Sequence, residues 1–235
     1  HTGEVEAKLG VAAHCPGCVA GQNIDLARLK RGVTSALELS GATICVQPGT
    51  TTELNLADYF TANNMELTTV VIERLEDING AYDAGRCDVI TTDASGLYAT
   101  RLTLSDPDAH MVLPEIISKE PLGPVVRQGD DQWFSIVKWT HFAMINAEEL
   151  GVTQANVEEM KGSEDPSIRR LLGADGNFGE AIGLSNDWAA NVIMAVGNYG
   201  EAFERHLGTD TPINISRGLN ALWTDGGIQY APPVR

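Results

Sequence analysis

From residue 42 onward the chain alternates short apolar runs with amphipathic stretches, and this alternation restricts the fold more than any other feature. Ala42-Thr43-Ile44-Cys45-Val46-Gln47 is apolar and β-branched and stops at Pro48-Gly49, which predicts a buried strand. Residues 52–63 then place Leu56, Tyr59 and Phe60 on one side of a helix. The pattern repeats. Residues 67–72 and 88–92 read as strands. Residues 76–84 read as a helix with Ile78, Ala81 and Tyr82 inward and Gly85 at its end. Residues 95–104 are helical and residues 111–117 extended. Ahead of the first strand, residues 34–39 form a short helix with a Thr or Ser cap, ended by Gly41. Strands that alternate with helices make an α/β unit with a mainly parallel sheet, here over residues 33–120.

Past Lys119 the strand signals stop. Glu120-Pro121-Leu122-Gly123-Pro124 brackets one glycine with two prolines and reads as a crossover. Residues 130–150 predict a long helix with Phe134, Val137, Met144 and Ala147 on one face. Shorter helices are expected near 153–161 and 166–172, and a second long one over 186–206. Residues 121–235 therefore read as a helical unit whose tail, from Ile213, has little period. Residues 1–32 stay unassigned: they lack period until Asn23-Ile24-Asp25-Leu26-Ala27-Arg28-Leu29-Lys30. No internal repeat is evident.

The chain's 235 residues suffice for one large domain or two small lobes. Thirty-two acidic residues face sixteen basic ones, a net charge of −16, which argues against nucleic acid and against an anionic membrane surface. No run of about 18 apolar residues exists, so no membrane insertion is expected. No basic-then-apolar leader opens the chain, and the expectation is that any signal peptide has been removed. Cys15, Cys18, Cys45 and Cys87 fit one or two disulfides, or a thiol pair. His14-Cys15-Pro16-Gly17-Cys18 contains a C-x-x-C that could be a redox pair, half a zinc site or neither. Asp175-Gly176-Asn177 hints at a calcium loop but lacks its closing Glu, and reads as a turn. No cofactor, metal or catalytic residue is expected. Trp133, Trp139, Trp188 and Trp223 are read as core or interface aromatics.

Three stretches together resemble the extracellular solute-binding family (family 3) of polar amino-acid ABC importers. They are Gln47-Pro48-Gly49-Thr50-Thr51-Thr52-Glu53, then Gly85-Arg86-Cys87-Asp88-Val89-Ile90-Thr91-Thr92-Asp93, then Pro121 to Asp130. Val33 to Ala42, Lys138-Trp139-Thr140-His141, Ala147 to Thr153 and Gly218 to Pro233 are similar to the general L-amino-acid-binding branch. The resemblance runs over residues 32–235. It implies a type II, two-lobe periplasmic-binding-protein architecture. Lobe two is then residues 33–120, and residues 121–235 return to lobe one and add a helical C-terminal extension. Most of the N-terminal half of lobe one, with its ligand-carboxylate cluster, would be lacking. The implied location is the periplasm, and the implied partners are an L-amino acid and an ABC permease in the inner membrane. By resemblance Asp93 takes the ligand amine with Thr92 beside it. Cys45 and Cys87, on neighbouring strands of lobe two, would form a disulfide, the alternative being two buried thiols.

The residues themselves suit a zwitterion. Gly49, Thr50, Thr51 and Thr52 open a helix, so unpaired amides and hydroxyls there can donate to a carboxylate. The bland alternative is an ordinary cap at Thr51 or Thr52. Asp93 ends a strand, where ligands of open α/β sheets bind, and a carboxylate there can accept from an ammonium. The bland alternative is a cap for the helix near Ser95. A binding protein is the first reading. An isolated lobe or fragment acting as an interaction module, and an enzyme of small carboxylic acids on the same fold, are the others.

Overall fold

The computed structural model describes the backbone of residues 19–21, 23–28 and 32–235, with side chains from residue 32 onward except at 120 and 121. The C-x-x-C of Cys15 and Cys18 lies outside the described residues. The described chain divides into an α/β unit, Ala20–Pro121 with Pro212–Ile215, and a helical unit, Leu122–Thr211 with Ser216–Arg235.

In chain order the strands are β1 (Val19–Gly21), β2 (Asn23–Arg28), β3 (Thr43–Val46), β4 (Thr68–Val71), β5 (Val89–Asp93), β6 (His110–Val112) and β7 (Glu120–Leu122). β1 pairs with β7, while the other five form one sheet in the order β4-β3-β5-β2-β6. β3 runs parallel to β4 and β5, but β2 runs antiparallel to both β5 and β6. The sheet is thus mixed, not mainly parallel. The difference lies in β2, which falls within the unassigned residues 1–32. It fills the space between β5 and β6, with Asn23 beside Asp93 and Arg28 beside His110. The extended stretch expected over 111–117 is a strand only at His110–Val112.

Three helices cover this sheet: α1 (Thr51–Ala62), α2 (Leu75–Asp83) and α3 (Ala94–Thr103). Ile44, Cys45 and Val46 are consecutive and fully buried, which means β3 is covered on both faces. Leu56 and Phe60 of α1, Ile78 and Tyr82 of α2, and Leu97 of α3 complete one core. Tyr59 packs only partly buried at its margin. Cys45 and Cys87 form a disulfide with Cα atoms 5.7 Å apart. Beside it the Thr43 amide donates to Asp88 Oδ2 (3.0 Å) and the Asp88 amide to the Thr43 carbonyl (2.7 Å). The short helix before β3 is a 3-10 turn, Ala36–Glu38, capped by Ser35. Glu115 accepts from the Ser35 hydroxyl (2.5 Å) and the Ala36 amide (2.9 Å). Burial pushes its pKa up, but these two bonds together with one from its own backbone amide hold it below the usual carboxylate value.

The helical unit contains α4 (Asp131–Glu149), α5 (Val157–Met160), α6 (Pro166–Leu171), α7 (Trp188–Val196) and α8 (Tyr199–His206). Asp130 caps α4 by accepting from the Trp133 amide (3.0 Å). The apolar face expected on α4 is only partly right. Ala147 is buried, whereas Phe134, Val137 and Met144 are half-buried and the core residues are Phe142, Ala143 and Ile145. The reason is that α4 serves two clusters. Ala143 and Ala147 face α7, and Phe142 and Ile145 face Tyr199, Leu222 and Ala231. The long helix expected over 186–206 is two helices. Gly197, at φ 80° and ψ −176°, turns the chain, and Asn198 starts α8 through a capping box with Glu201. The 175–177 loop is a turn tied by Arg169, whose Nε and Nη2 each reach the Asp175 carboxylate at 2.8 Å. Trp188 is buried and Trp139 half-buried, while Trp133 and Trp223 are about half exposed (51% and 50%).

Tyr199 adds a pH dependence. Its hydroxyl is buried with no hydrogen-bond partner among the described residues. Burial pushes its pKa up to about 12; Arg217 opposes this and Glu148 reinforces it. A phenol whose folded pKa is raised contributes stability that is complete below its ordinary value of 10.0 and is lost as pH climbs towards about 12. Tyr199→Phe should therefore unfold at the same or higher denaturant concentration near pH 8, and lose less stability than the parent on going to pH 11. Equal alkaline losses in the two proteins would refute this.

Candidate functional site

β3 and β5 are neighbours and parallel, with Ile44 opposite Val89 and Cys45 opposite Ile90. Their carboxyl ends consequently share one edge of the sheet, the edge at which open α/β sheets receive ligands. From β3 the chain passes through Gln47, Pro48 and Gly49 into α1. From β5 it passes directly into α3. This brings Gly49, Thr50, Thr51 and Thr52 to the same edge as Thr92 and Asp93.

The first helix start is built around Thr50, not Thr51 or Thr52. Thr50 Oγ1 accepts from the Glu53 amide (3.2 Å) and donates to the Gln47 carbonyl (2.9 Å). Glu53 reaches back to the Gly49 amide (2.8 Å). Gly49 has φ 67°, which disfavours any side chain there. Intrahelical bonding begins when the Leu54 amide donates to the Thr50 carbonyl (3.4 Å). The amides of Thr51 and Thr52 precede that bond and lie at the positive end of the α1 dipole. Thr51 and Thr52 thus place two backbone amides and two hydroxyls in the first turn of α1.

The second helix start is built around Asp93. Its Oδ2 accepts from the Gly96 amide (2.9 Å) and the Ser95 hydroxyl (2.6 Å), and Thr92 Oγ1 makes a long contact to Oδ1 (3.4 Å). Asp93 is thus the cap of α3, as the bland alternative had it. Capping uses mainly one oxygen, however, and an ionised carboxylate has about four acceptor positions. Oδ1 takes only the long Thr92 contact (3.4 Å). A Cβ at position 96 would lie 3.2 and 3.3 Å from the two carboxylate oxygens, so glycine there leaves the Asp93 side chain its place.

Sequence reasoning missed two features. One is Ser95, whose hydroxyl fixes the Asp93 rotamer; the Asp-x-Ser signature of a helix start could have revealed it. The other is the Gln47 side-chain amide, which donates to the Glu73 carbonyl (2.8 Å) and ties the β4–α2 loop to the α1 start. Nothing local announces that bond. Among the described residues no group of three or more His, Cys, Asp or Glu could hold a metal, and no helix is long and apolar enough to cross a membrane.

No protein-family profile matches the chain. A solved structure does: an ABC transporter periplasmic binding protein from Brucella ovis, with glutathione bound, is 57% identical and superposes with a TM-score of 0.88. The superposition covers 92% of this chain and 69% of that one. The chain belongs to the periplasmic binding proteins of ABC transporters. Curated relatives agree. The general L-amino acid-binding periplasmic protein AapJ of Rhizobium johnstonii is 69% identical over 205 residues, 86% of this chain and 60% of its own length. The glutamate/glutamine/aspartate/asparagine-binding protein BztA of Rhodobacter capsulatus is 57% identical over 87% of this chain and 61% of its own length. This periplasmic binding protein chain therefore spans about three fifths of the curated relatives it matches. Its fold class is the α/β class of type II periplasmic binding proteins.

Proposed function

We propose that the chain is the substrate-binding part of an ABC importer. Its α/β unit would hold free L-amino acids at the carboxyl edge of β3 and β5 for delivery to an inner-membrane permease. The observation that carries the reading is the pairing of opposite chemistries at one edge. Asp93 offers acceptors for the α-ammonium, and Thr50, Thr51 and Thr52 offer donors for the α-carboxylate. Thr92 stands beside Asp93, and Gly49 lets the backbone come close. The names of the relatives support binding of amino acids rather than their conversion, and the chain is read as a binding protein and not an enzyme. The glutathione of the Brucella ovis structure fits the same logic, because its γ-glutamyl end keeps a free α-ammonium and α-carboxylate.

Calorimetry with a panel of L-amino acids and their N-acetyl derivatives tests this. The free amino acids should bind and the acetylated ones should not, since acetylation removes the ammonium. Asp93→Asn sharpens the test. Asn is as good a cap as Asp, so the thermal midpoint should barely move. A hydrogen bond to a charged group contributes about 1.5–3 kcal/mol, so affinity should fall about 10- to 150-fold. Tight binding that ignores Asp93→Asn would overturn the site. Heat-silent titrations with every amino acid would favour the interaction-module reading instead.

A further inference from the structure

An Asp or Asn followed by Gly can react with its own backbone, because glycine adds no side chain to hinder the attacking amide. The sequence holds three such pairs: Asn79-Gly80, Asp175-Gly176 and Asp225-Gly226. The fold treats them differently. We infer that Asp225 is a self-modification site, at which the folded chain turns an aspartyl linkage into an isoaspartyl one, and that the fold shields the other two pairs.

The step needs no co-reactant. The Gly226 nitrogen attacks Cγ of Asp225 in its carboxylic-acid form. A new N–Cγ bond closes a five-membered succinimide, and the amide proton leaves with the carboxyl hydroxyl as water. Water then opens the ring. Cleavage at Cγ restores aspartate, whereas cleavage at the backbone carbonyl leaves the chain running through Cγ. One water is released and one is taken up, so the net change is an isomerisation.

Asp225 and Gly226 are both exposed. Asp225 ends a three-residue 3-10 turn, Trp223–Asp225, and its carboxylate has no partner among the described residues. The Gly226 amide, which is the nucleophile, likewise donates to no described group; the Asp225 and Gly227 amides are the ones that bond the Leu222 carbonyl (both 2.9 Å). Gly226 has φ 83° and open space where a Cβ would stand, so nothing packs over the reacting atoms. Asp175 differs in each respect. Both its oxygens are held at 2.8 Å by Arg169, and these bonds keep its carboxyl below the usual carboxylate value, away from the reactive acid form. The Gly176 backbone lies against the Phe178 ring, since a Cβ there would come within 2.4 Å of it. Asn79 and Gly80 lie inside α2, where the backbone is committed to helix geometry.

The product would act on its surroundings. An extra backbone atom at 225 enters a turn whose ends are tied by the Trp223 amide to the Gln229 carbonyl (3.0 Å) and the Gln229 amide to the Ala221 carbonyl (3.1 Å). Gly227 cannot absorb it, because its α-carbon already stands against the Ala221 carbonyl.

The test is to age the folded chain in warm, mildly acidic buffer for several weeks. Isoaspartate is then labelled with a protein L-isoaspartyl methyltransferase and labelled S-adenosylmethionine, and located by peptide mapping. Label should build up at 225 about fivefold or more faster than at 175, since Asp175 must first leave its arginine, and α2 should carry none. Asp225→Glu should abolish the main signal, because glutamate would have to close a six-membered ring. Arg169→Gln should raise the label at 175 and leave 225 unchanged. In urea the lag at 175 should disappear. No label at 225 in the folded chain, faster labelling at 175 or 79, or a lag at 175 that persists in urea would overturn the inference.

Discussion

Arg217→Ala should destabilise the helical unit by about 3–5 kcal/mol, because it strips one partner from an ion pair held largely out of water. Arg217 Nη1 and Nη2 meet the two Glu148 oxygens at 2.9 and 3.2 Å, and the side chains are only 18% and 17% exposed. Two further bonds run from Arg217 Nε and Nη2 to the Asn220 carbonyl (3.2 and 2.9 Å). The guanidinium also lies 5.3 Å from the Tyr199 ring centre and 5.2 Å from that of Phe203. One side chain therefore joins α4, α8 and the C-terminal segment. Gly200 is part of the arrangement, since a Cβ there would lie 2.8 Å from Glu148 Cδ and 2.9 Å from Arg217 Nη1. After Arg217→Ala, Glu148 keeps its charge and loses its counter-charge. Adding Glu148→Gln should recover part of the loss, since the amide no longer needs a cation. Urea unfolding of the two single variants and the double variant measures this coupling. Strictly additive losses would show that the pair is not a unit.

Removing the disulfide should cost the α/β unit about 4 kcal/mol, from the chain entropy that a cross-link takes out of the unfolded state. The size follows from the sequence separation of 42 residues between Cys45 and Cys87. The bridge spans β3 and the residue just ahead of the Asp88–β5 start, and both half-cystines are buried (0% and 2% exposed). Their burial shields them from mild reductant in the folded state. The double variant Cys45→Ala/Cys87→Ala is accordingly the cleaner test. It should unfold at a clearly lower urea concentration than the oxidised parent, and adding reductant after unfolding should prevent the parent from recovering its midpoint. An unchanged midpoint in the double variant would refute the stabilising role. Since β3 and β5 carry the candidate site at their ends, a loosened pair should also bind ligand more weakly.

Much of the α/β unit was legible because its rules are local. A run such as Ile44-Cys45-Val46, ended by Pro48-Gly49, needs only its own residues to declare a buried strand. The spacing of Leu56 and Phe60, or of Ile78 and Tyr82, likewise declares the buried face of a helix. The candidate site could be located for the same reason: Gly49 to Thr52 and Asp93 stand where a strand hands over to a helix. Which threonine caps α1 was not legible, because Thr50, Thr51 and Thr52 are equivalent by composition. The choice of Thr50 is made by its hydroxyl reaching both the Gln47 carbonyl and the Glu53 amide. The break at Gly197 was legible but overlooked. Asn198 with Glu201 three residues later is a helix-start signal that the apolar pattern of residues 186–206 masked.

The sequence by itself determined the alternation of strand and helix, the helix-rich second half, and the pair of strand ends that carry opposite chemistries. Only the tertiary structure decided what pairs with what across long separations. β2 lies antiparallel between β5 and β6, Gln47 holds Glu73, and Arg217 meets Glu148 across 69 residues. Periodicity and capping act within about one or two helical turns, so they leave a trace in adjacent residues. A hydrogen bond or ion pair between distant segments leaves none. It exists only after burial of the shared core has brought the two segments together, and that is the physical reason neither segment announces the other in the sequence.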